Sequence, residues 1–279
     1  MSAGVGGIKI GIMGGTGFYE LPQLEDKLVV ENVRTEFGTP ASDIVTGKIA
    51  GVECAVIARH GAQHQFNPSE VNYRANLLAL KDLGVTHVLA ATACGSLRED
   101  MPPGHFVILD SFIDRTHKRI QTYHTQELTT PRFGKVCHIP MHPSFCNETA
   151  ACLYEAGKEL GLSISPKGTA ITIEGPRFSS RAESKLFQSW GADVINMTTV
   201  PEVVLAKELG MSYASVAMVT DYDCWRDCGE GAVDVAQVME VMKVNVQKVR
   251  QLMVSAIEKI KQKDWSEILK VRTIQIANS

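Results

Sequence analysis

Residues 192–223 read ADVINMTTVPEVVLAKELGMSYASVAMVTDYD, and this stretch decides the fold class. Ala192–Asn196 is a short apolar strand followed by Met197-Thr198-Thr199. Thr199 and Glu202 have the Thr-x-x-Glu spacing of a capping box, so a helix is expected from Thr199, with Gly210 as its stop. Tyr213–Thr220 (YASVAMVT) is apolar along its whole length, as a strand buried on both faces should be, and it ends in Asp221-Tyr222-Asp223. Strand, helix and strand in succession are the unit of an α/β protein.

The same alternation continues outward. Ile8–Met13 is a strand running into Gly14-Gly15-Thr16-Gly17, and Thr86–Thr92 is a buried strand before Ala93-Cys94-Gly95-Ser96. Asp43–Ile49 and Val52–Arg59 flank Ala50-Gly51 as a hairpin, which makes the sheet mixed. Phe106–Asp110 and Thr169–Ile173 are further strands. Helices are expected over Pro68–Leu83, Asn147–Leu160 and Arg181–Trp190. A last long helix starts near Asp234, with Val235, Val238, Met242, Val246, Val249, Met253, Ala256 and Ile260 on one face. Gly104–Pro143 is otherwise polar and rich in His and Pro, and reads as loops over the surface. No linker interrupts the 279 residues, so residues 1–279 are expected to form a single α/β domain with a mixed, twisted sheet flanked by helices.

Composition narrows the partners. Hydrophobic residues make up 44% and charged residues 21%, which excludes a disordered chain. A formal net charge of -3 provides no global field for nucleic acid or an anionic membrane, so any anionic ligand must be small and locally recognised. No apolar run approaches the ~18 residues of a membrane span, and the first residues lack a secretory signal pattern. Seven scattered cysteines without a CxxC pair read as reduced thiols in an intracellular protein.

Five expected strand ends carry polar clusters: Gly14–Gly17, Arg59-His60, Thr92-Ala93, Asn196-Met197-Thr198 and Asp221-Tyr222-Asp223. Ligands of open α/β sheets bind outside the carboxyl ends of strands, so convergence of five such ends points to an enzyme. The glycine cluster is either an ordinary turn or an anion nest. Arg59 is either a surface side chain or a fork matched to phosphate, with His60 able to add a charge-assisted bond. Thr92 and Thr198 supply hydroxyls, and Thr198 adjoins the expected start of a helix. Asp221 and Asp223 are either a solvated turn or a partly desolvated pair, in which burial and mutual repulsion raise one pKa and leave a proton to donate.

Other chemistries find no support in the sequence. His60 and His64 are four apart, as are His138 and His142, but Gly61 and Pro140 argue against regular helix there, and no HExxH occurs. Cys224 and Cys228 have no histidine beside them. No metal is expected. A GxSxG elbow and a GxGxxG fingerprint are both absent, which argues against a serine hydrolase and an NAD-dependent dehydrogenase.

The motifs KIGIMGGTG, ARHG, TACGSLRE, TIEGPRFSSRAE, WGADVINMTTVPEVVLAKELG and MVTDYDCW resemble the nucleoside phosphorylase family, in its 5'-methylthioadenosine branch. The resemblance runs from Lys9 into the last long helix and is weakest over Val271–Ser279. It implies phosphorolysis of S-methyl-5'-thioadenosine to adenine and 5-methylthioribose 1-phosphate, with no cofactor and with inorganic phosphate as co-substrate. It implies phosphate on Thr16, Arg59, His60, Thr92, Ala93 and Thr198. The nucleoside would lie on Met197 beside Asn196, with Phe178 and Ser179 near the base. Asp221 and Asp223, reinforced by Thr220, would face the purine as the catalytic acids, and Val235 would line the methylthio end. His138 would come from a neighbouring subunit of a homotrimer. The expected location is the cytoplasm, with the nucleus as a second one. The alternative within the family is a purine nucleoside phosphorylase acting on inosine or guanosine. The alternative outside it is a non-catalytic adenine-nucleoside-binding protein. One departure from the family pattern is Arg226–Gly231, which is a residue longer than the pattern leads one to expect.

Overall fold

The computed structural model describes residues 7–15, 21–125, 132–133, 136–226 and 235–277, without the side chains of 235–237, 239 and 272–277. In chain order its strands are β1 (Lys9–Gly14), β2 (Glu25–Val30), β3 (Ile44–Ile49), β4 (Val52–Ala58), β5 (His87–Ser96), β6 (Phe106–Ile108), β7 (Ser111–Arg115), β8 (Ile164–Ser165), β9 (Thr169–Ile173), β10 (Val194–Asn196) and β11 (Ser212–Asp221). The helices are α1 (Tyr73–Asp82), α2 (Asn147–Glu159), α3 (Arg181–Ser189), α4 (Thr199–Glu208), α5 (Val235–Lys261) and α6 (Ser266–Ala277). All eleven strands belong to one mixed sheet, as expected.

The sheet is organised around β5. His87–Ala90 pair in parallel with β1 on one edge and with β11 on the other. The pairing with β1 ends at Ala90, and the same edge is taken up at Gly95 and Ser96 by antiparallel β10. Between them, Ala91–Cys94 have no strand partner on that edge among the described residues. This gap opens the sheet, and it lies within β5. Thr92 and Ala93 therefore sit inside a strand rather than at its end, a correction to the sequence reading. On the other edge, β11 carries a bulge between Val219 and Asp221, the latter opposite Gly95. A bulge turns the following side chains out of register, here Thr220 and Asp221. A Cβ on Gly95 would lie 3.1 Å from the Asp221 Oδ1 and 3.2 Å from the Asp223 Cβ, so glycine makes room for the acids.

The hairpin forms as read, with antiparallel β3 and β4 joined by Ala50 and Gly51, both at positive φ. One face of the sheet packs against α1 and α4, and the other against α2 and α5. Val246, Val249, Met253, Ala256 and Ile260 of α5 are buried, as their spacing predicts. Three readings need correction. α1 begins at Tyr73 and not Pro68, because the Asn72 side chain accepts from the Ala75 N–H and caps it there. Gly104–Pro143 is not all surface loop. It includes β7, paired with β9, and the fully buried Tyr123. The Thr199–Glu202 capping box does not form, since Thr199 is inside α4, Val200 is non-helical and the Glu202 side chain is used elsewhere. The strands β2 and β8 and the helix α6 had no counterpart in the sequence reading. No described helix is long and apolar enough to cross a membrane.

Candidate active site

A cavity of about 210 Å³ opens where β1 leaves β5. Arg59, which follows β4, enters it from beneath and is only 2% exposed. A buried guanidinium needs a counter-charge and a partner for each N–H. Glu202, fully buried on α4, supplies the charge. The Arg59 Nε donates to the Glu202 Oε1, and Nη2 donates to Oε2 at 2.9 Å. Nη1 donates to the Ala91 carbonyl at 2.8 Å, a group in the segment of β5 that lacks a partner on the β1 edge. The Tyr213 hydroxyl donates to the Glu202 Oε2 at 2.8 Å. Burial works against the Arg59 charge, but the Glu202 carboxylate more than offsets it and holds the arginine firmly protonated. Three of the five N–H groups are taken, and two are left for a ligand.

Thr92 and Thr198 meet beside this arginine, their hydroxyls 3.2 Å apart. The backbone carrying Thr198 is fixed by Arg119, whose Nη1 donates to the Val200 carbonyl at 2.7 Å and to that of Met197. Arg119 Nη2 donates to the Glu174 carbonyl at 2.6 Å, and its Nε lies 3.3 Å from the Glu174 carboxylate. Arg119, Glu174, Glu202 and Tyr213 were all missed by sequence reasoning. Arg119 sits in the polar stretch assigned to loops, and no local pattern distinguishes it.

His60 differs from expectation. Burial first, and the Arg59 cation second, push its pKa down to about 4. Its Nδ1 is 2.9 Å from the Phe66 carbonyl, which can only accept. The proton therefore sits on Nδ1, and Nε2 presents a lone pair at neutral pH. The charge-assisted donor expected here is a neutral acceptor.

At the other end of the cavity, Asp221 receives hydrogen bonds from the Thr220 hydroxyl and the Asp223 N–H, each at 2.7 Å. Asp223 has a φ of +51°, which closes this tight turn. The Ser179 hydroxyl donates to the Asp223 Oδ2 at 2.5 Å. Burial raises the Asp221 pKa, the two donated hydrogen bonds oppose it, and the Asp223 charge adds a smaller upward push. The direction is as expected, and desolvation is its main cause.

Of the residues singled out from the sequence, the cavity brings together Arg59, His60, Thr92, Ala93, Phe178, Ser179, Asn196, Met197, Thr198, Thr220, Asp221 and Asp223. The Asn196 amide is engaged by Thr172 and Thr199, so it braces the wall. Thr16 and the segment 227–234 lie outside the described residues, and so does the Val235 side chain. One and two turns further along α5, Val238 and Met242 line the cavity. His138 is exposed and does not reach the cavity of its own chain.

Residues 9–258 match the model of the Phosphorylase superfamily. The chain belongs to that family. The S-methyl-5'-thioadenosine phosphorylase of Anopheles gambiae is 54% identical over 268 residues, which span 94% of this chain and 92% of that one. The Danio rerio protein of the same name is 52% identical over 94% of this chain and 92% of its own. The Schistosoma mansoni methylthioadenosine phosphorylase in complex with adenine superposes with a TM-score of 0.91 at 42% identity, covering 98% and 99% of the two chains. A mutant of the schistosome enzyme in complex with methylthioadenosine also superposes at 0.91, with 41% identity and 98% coverage of both chains. The nucleoside phosphorylase resemblance of the motifs and the mixed-sheet α/β fold are thereby borne out.

The Arg59–Glu202 pair makes a stability prediction for this phosphorylase. Glu202→Gln keeps the volume but leaves a buried arginine without its counter-charge, and should cost about 3–5 kcal/mol in urea unfolding. A loss below about 1 kcal/mol would mean that the Ala91 carbonyl and packing suffice to hold Arg59.

Proposed function

We propose that this chain is a pentosyltransferase that cleaves S-methyl-5'-thioadenosine with inorganic phosphate, giving adenine and 5-methylthioribose 1-phosphate. One observation carries the reading. A fixed cation and an acid with a raised pKa line the same cavity. Arg59 bonds Ala91 of β5 and Asp221 lies opposite Gly95, four residues further on, or about 13 Å of strand. Phosphate at one end and a purine at the other fit this spacing, and the apolar Met197 and Phe178 also line the cavity.

Phosphate is assigned to the two remaining Arg59 N–H groups, the hydroxyls of Thr92 and Thr198, Ala93 and Thr16. The His60 Nε2 lone pair matches the single O–H of hydrogen phosphate. As the C1'–N9 bond breaks, positive charge builds on the sugar, and the phosphate beneath it stabilises that charge in a water-poor site. A phosphate oxygen bonds C1', the electron pair of the broken bond moves into the purine, and N7 takes a proton from Asp221. No cofactor enters these steps. Val238 and Met242 form an apolar wall suited to a 5'-methylthio group. His138, exposed on its own chain, is assigned to the site of a neighbouring subunit in a homotrimer. The reaction belongs to methionine and adenine salvage, and its proposed location, cytoplasmic or also nuclear, rests on resemblance alone.

The direct test is release of adenine from methylthioadenosine. It should require phosphate, and adenine appearing at the same rate without phosphate would exclude phosphorolysis.

Base choice tests Asp221. Adenine offers an acceptor at N7 and a donor at N6, which suit a protonated and an ionised acid. Inosine and guanosine present O6 where an ionised acid would face it lone pair to lone pair. Such mismatches reject the wrong base by up to about 10⁴–10⁵-fold. Asp221→Asn should lower kcat on methylthioadenosine by about 10²–10⁴-fold and narrow the gap to inosine. The pH sign follows from the raised pKa. Asp221 keeps its proton, and any stability linked to it, below that pKa, and loses both as pH rises through it. At saturating phosphate, kcat should fall on the alkaline side in the wild type and lose that limb in Asp221→Asn. Equal cleavage of inosine and methylthioadenosine by the wild type would favour the purine nucleoside phosphorylase reading.

Assembly is tested by light scattering. A trimer is expected at assay concentration, with His138→Ala assembled but impaired. A fully active monomer would remove His138 from the site.

A further inference from the structure

Away from the cavity, the chain brings together three residues that the sequence keeps far apart. One ligand atom each from His124, Cys137 and Glu208 lie within 4.8 Å of one another. We propose that His124, Cys137 and Glu208 bind one zinc-class divalent cation, at a site separate from the catalytic cavity.

The donor set is one thiolate, one imidazole and one carboxylate. Sulfur and nitrogen donors favour zinc over the hard cations magnesium and calcium. Three protein ligands leave a fourth tetrahedral position for water. Bond lengths of about 2.0–2.3 Å put tetrahedral ligands about 3.3–3.7 Å apart, so the group needs to contract by about 1 Å. Metal binding would release the Cys137 thiol proton to solvent, and no redox change is involved.

The surroundings favour a cation. Glu208 is 4% exposed and is the last residue of α4, where the negative end of the helix dipole lies. Its carboxylate is already oriented: the Thr122 hydroxyl donates to Oε1 at 2.7 Å, and the Tyr123 N–H donates to Oε2 at 2.6 Å. Outer contacts of this type fix ligand geometry in metal sites. The same Thr122 hydroxyl accepts the His124 N–H at 3.0 Å, and the His124 ring stands edge-on to Phe133. The His124 Nδ1 is buried without a hydrogen-bond partner among the described residues. A buried polar atom of this type calls for a ligand or a water. Nearby cations are engaged elsewhere, Arg132 with Asp82 at 2.6 Å and Lys207 with the Pro143 carbonyl at 2.5 Å. Cys137 is half-buried.

The experiment uses the full chain, stripped of metal, with Zn²⁺ and Co²⁺ as probes. Competition with a chromophoric chelator should give one Zn²⁺ per chain, and Co²⁺ should show a thiolate charge-transfer band. The thermal midpoint should rise with zinc concentration. Cys137→Ser should abolish the band. His124→Ala should weaken binding by more than the about 10–100-fold typical of an outer contact. Circular dichroism checks that each variant is folded, and Glu208→Gln replaces any that is not. Absence of stoichiometric binding would overturn the proposal. So would a band that survives in Cys137→Ser, because the thiolate would then be another cysteine.

Discussion

Burial of Arg59 is the constraint on which the centre of this molecule depends. A cation that is 2% exposed must be matched in charge and hydrogen bonding, and the match requires three elements at once. Arg59 follows β4, Glu202 comes from α4 and the Ala91 carbonyl from β5. The carbonyl is open on that edge because the pairing of β1 with β5 ends at Met13 and Ala90. The opening in the sheet and the seating of the arginine are therefore one feature. Tyr213 then ties Glu202 to β11, the strand that carries Asp221.

The two ends of the cavity use burial in opposite ways. Arg59 is desolvated but paired, and so keeps its charge. Asp221 is desolvated and receives only neutral hydrogen bonds, so its protonated form gains ground. His60 is desolvated beside a cation and stays neutral. One permanent charge, one lone pair and one movable proton result from the same low-dielectric surroundings, distinguished only by their neighbours.

Much of this was legible in the sequence because it is written locally. The apolar runs of β1, β5, β9 and β11 announce buried strands, and Ala50-Gly51 announces a hairpin. The acids after YASVAMVT stand out against that background. What could not be read depends on distant partners. β2 is exposed along most of its length, so it lacks a hydrophobic signal. Glu202 has the spacing of a capping residue, and only the fold shows that a buried arginine claims it. Arg119 lies among polar residues that look like surface, yet three carbonyls and a carboxylate converge on it. The neutrality of His60 depends on its burial and on an adjacent cation, and its tautomer on a carbonyl six residues away. Its residue type alone suggested the opposite role.

The segment of β5 that is paired on one edge only also acts as a ruler. Both ends of the cavity are referred to one strand, through the Ala91 carbonyl and through Gly95. An extended strand has almost no capacity to stretch, and its side chains alternate between faces. Inserting or deleting a single residue between these marks would change the span by about 3.3 Å and turn Gly95 away from the acids. The length of ligand that this site accepts is thus counted in whole residues of backbone, and it can drift through side-chain substitution only at its outer walls.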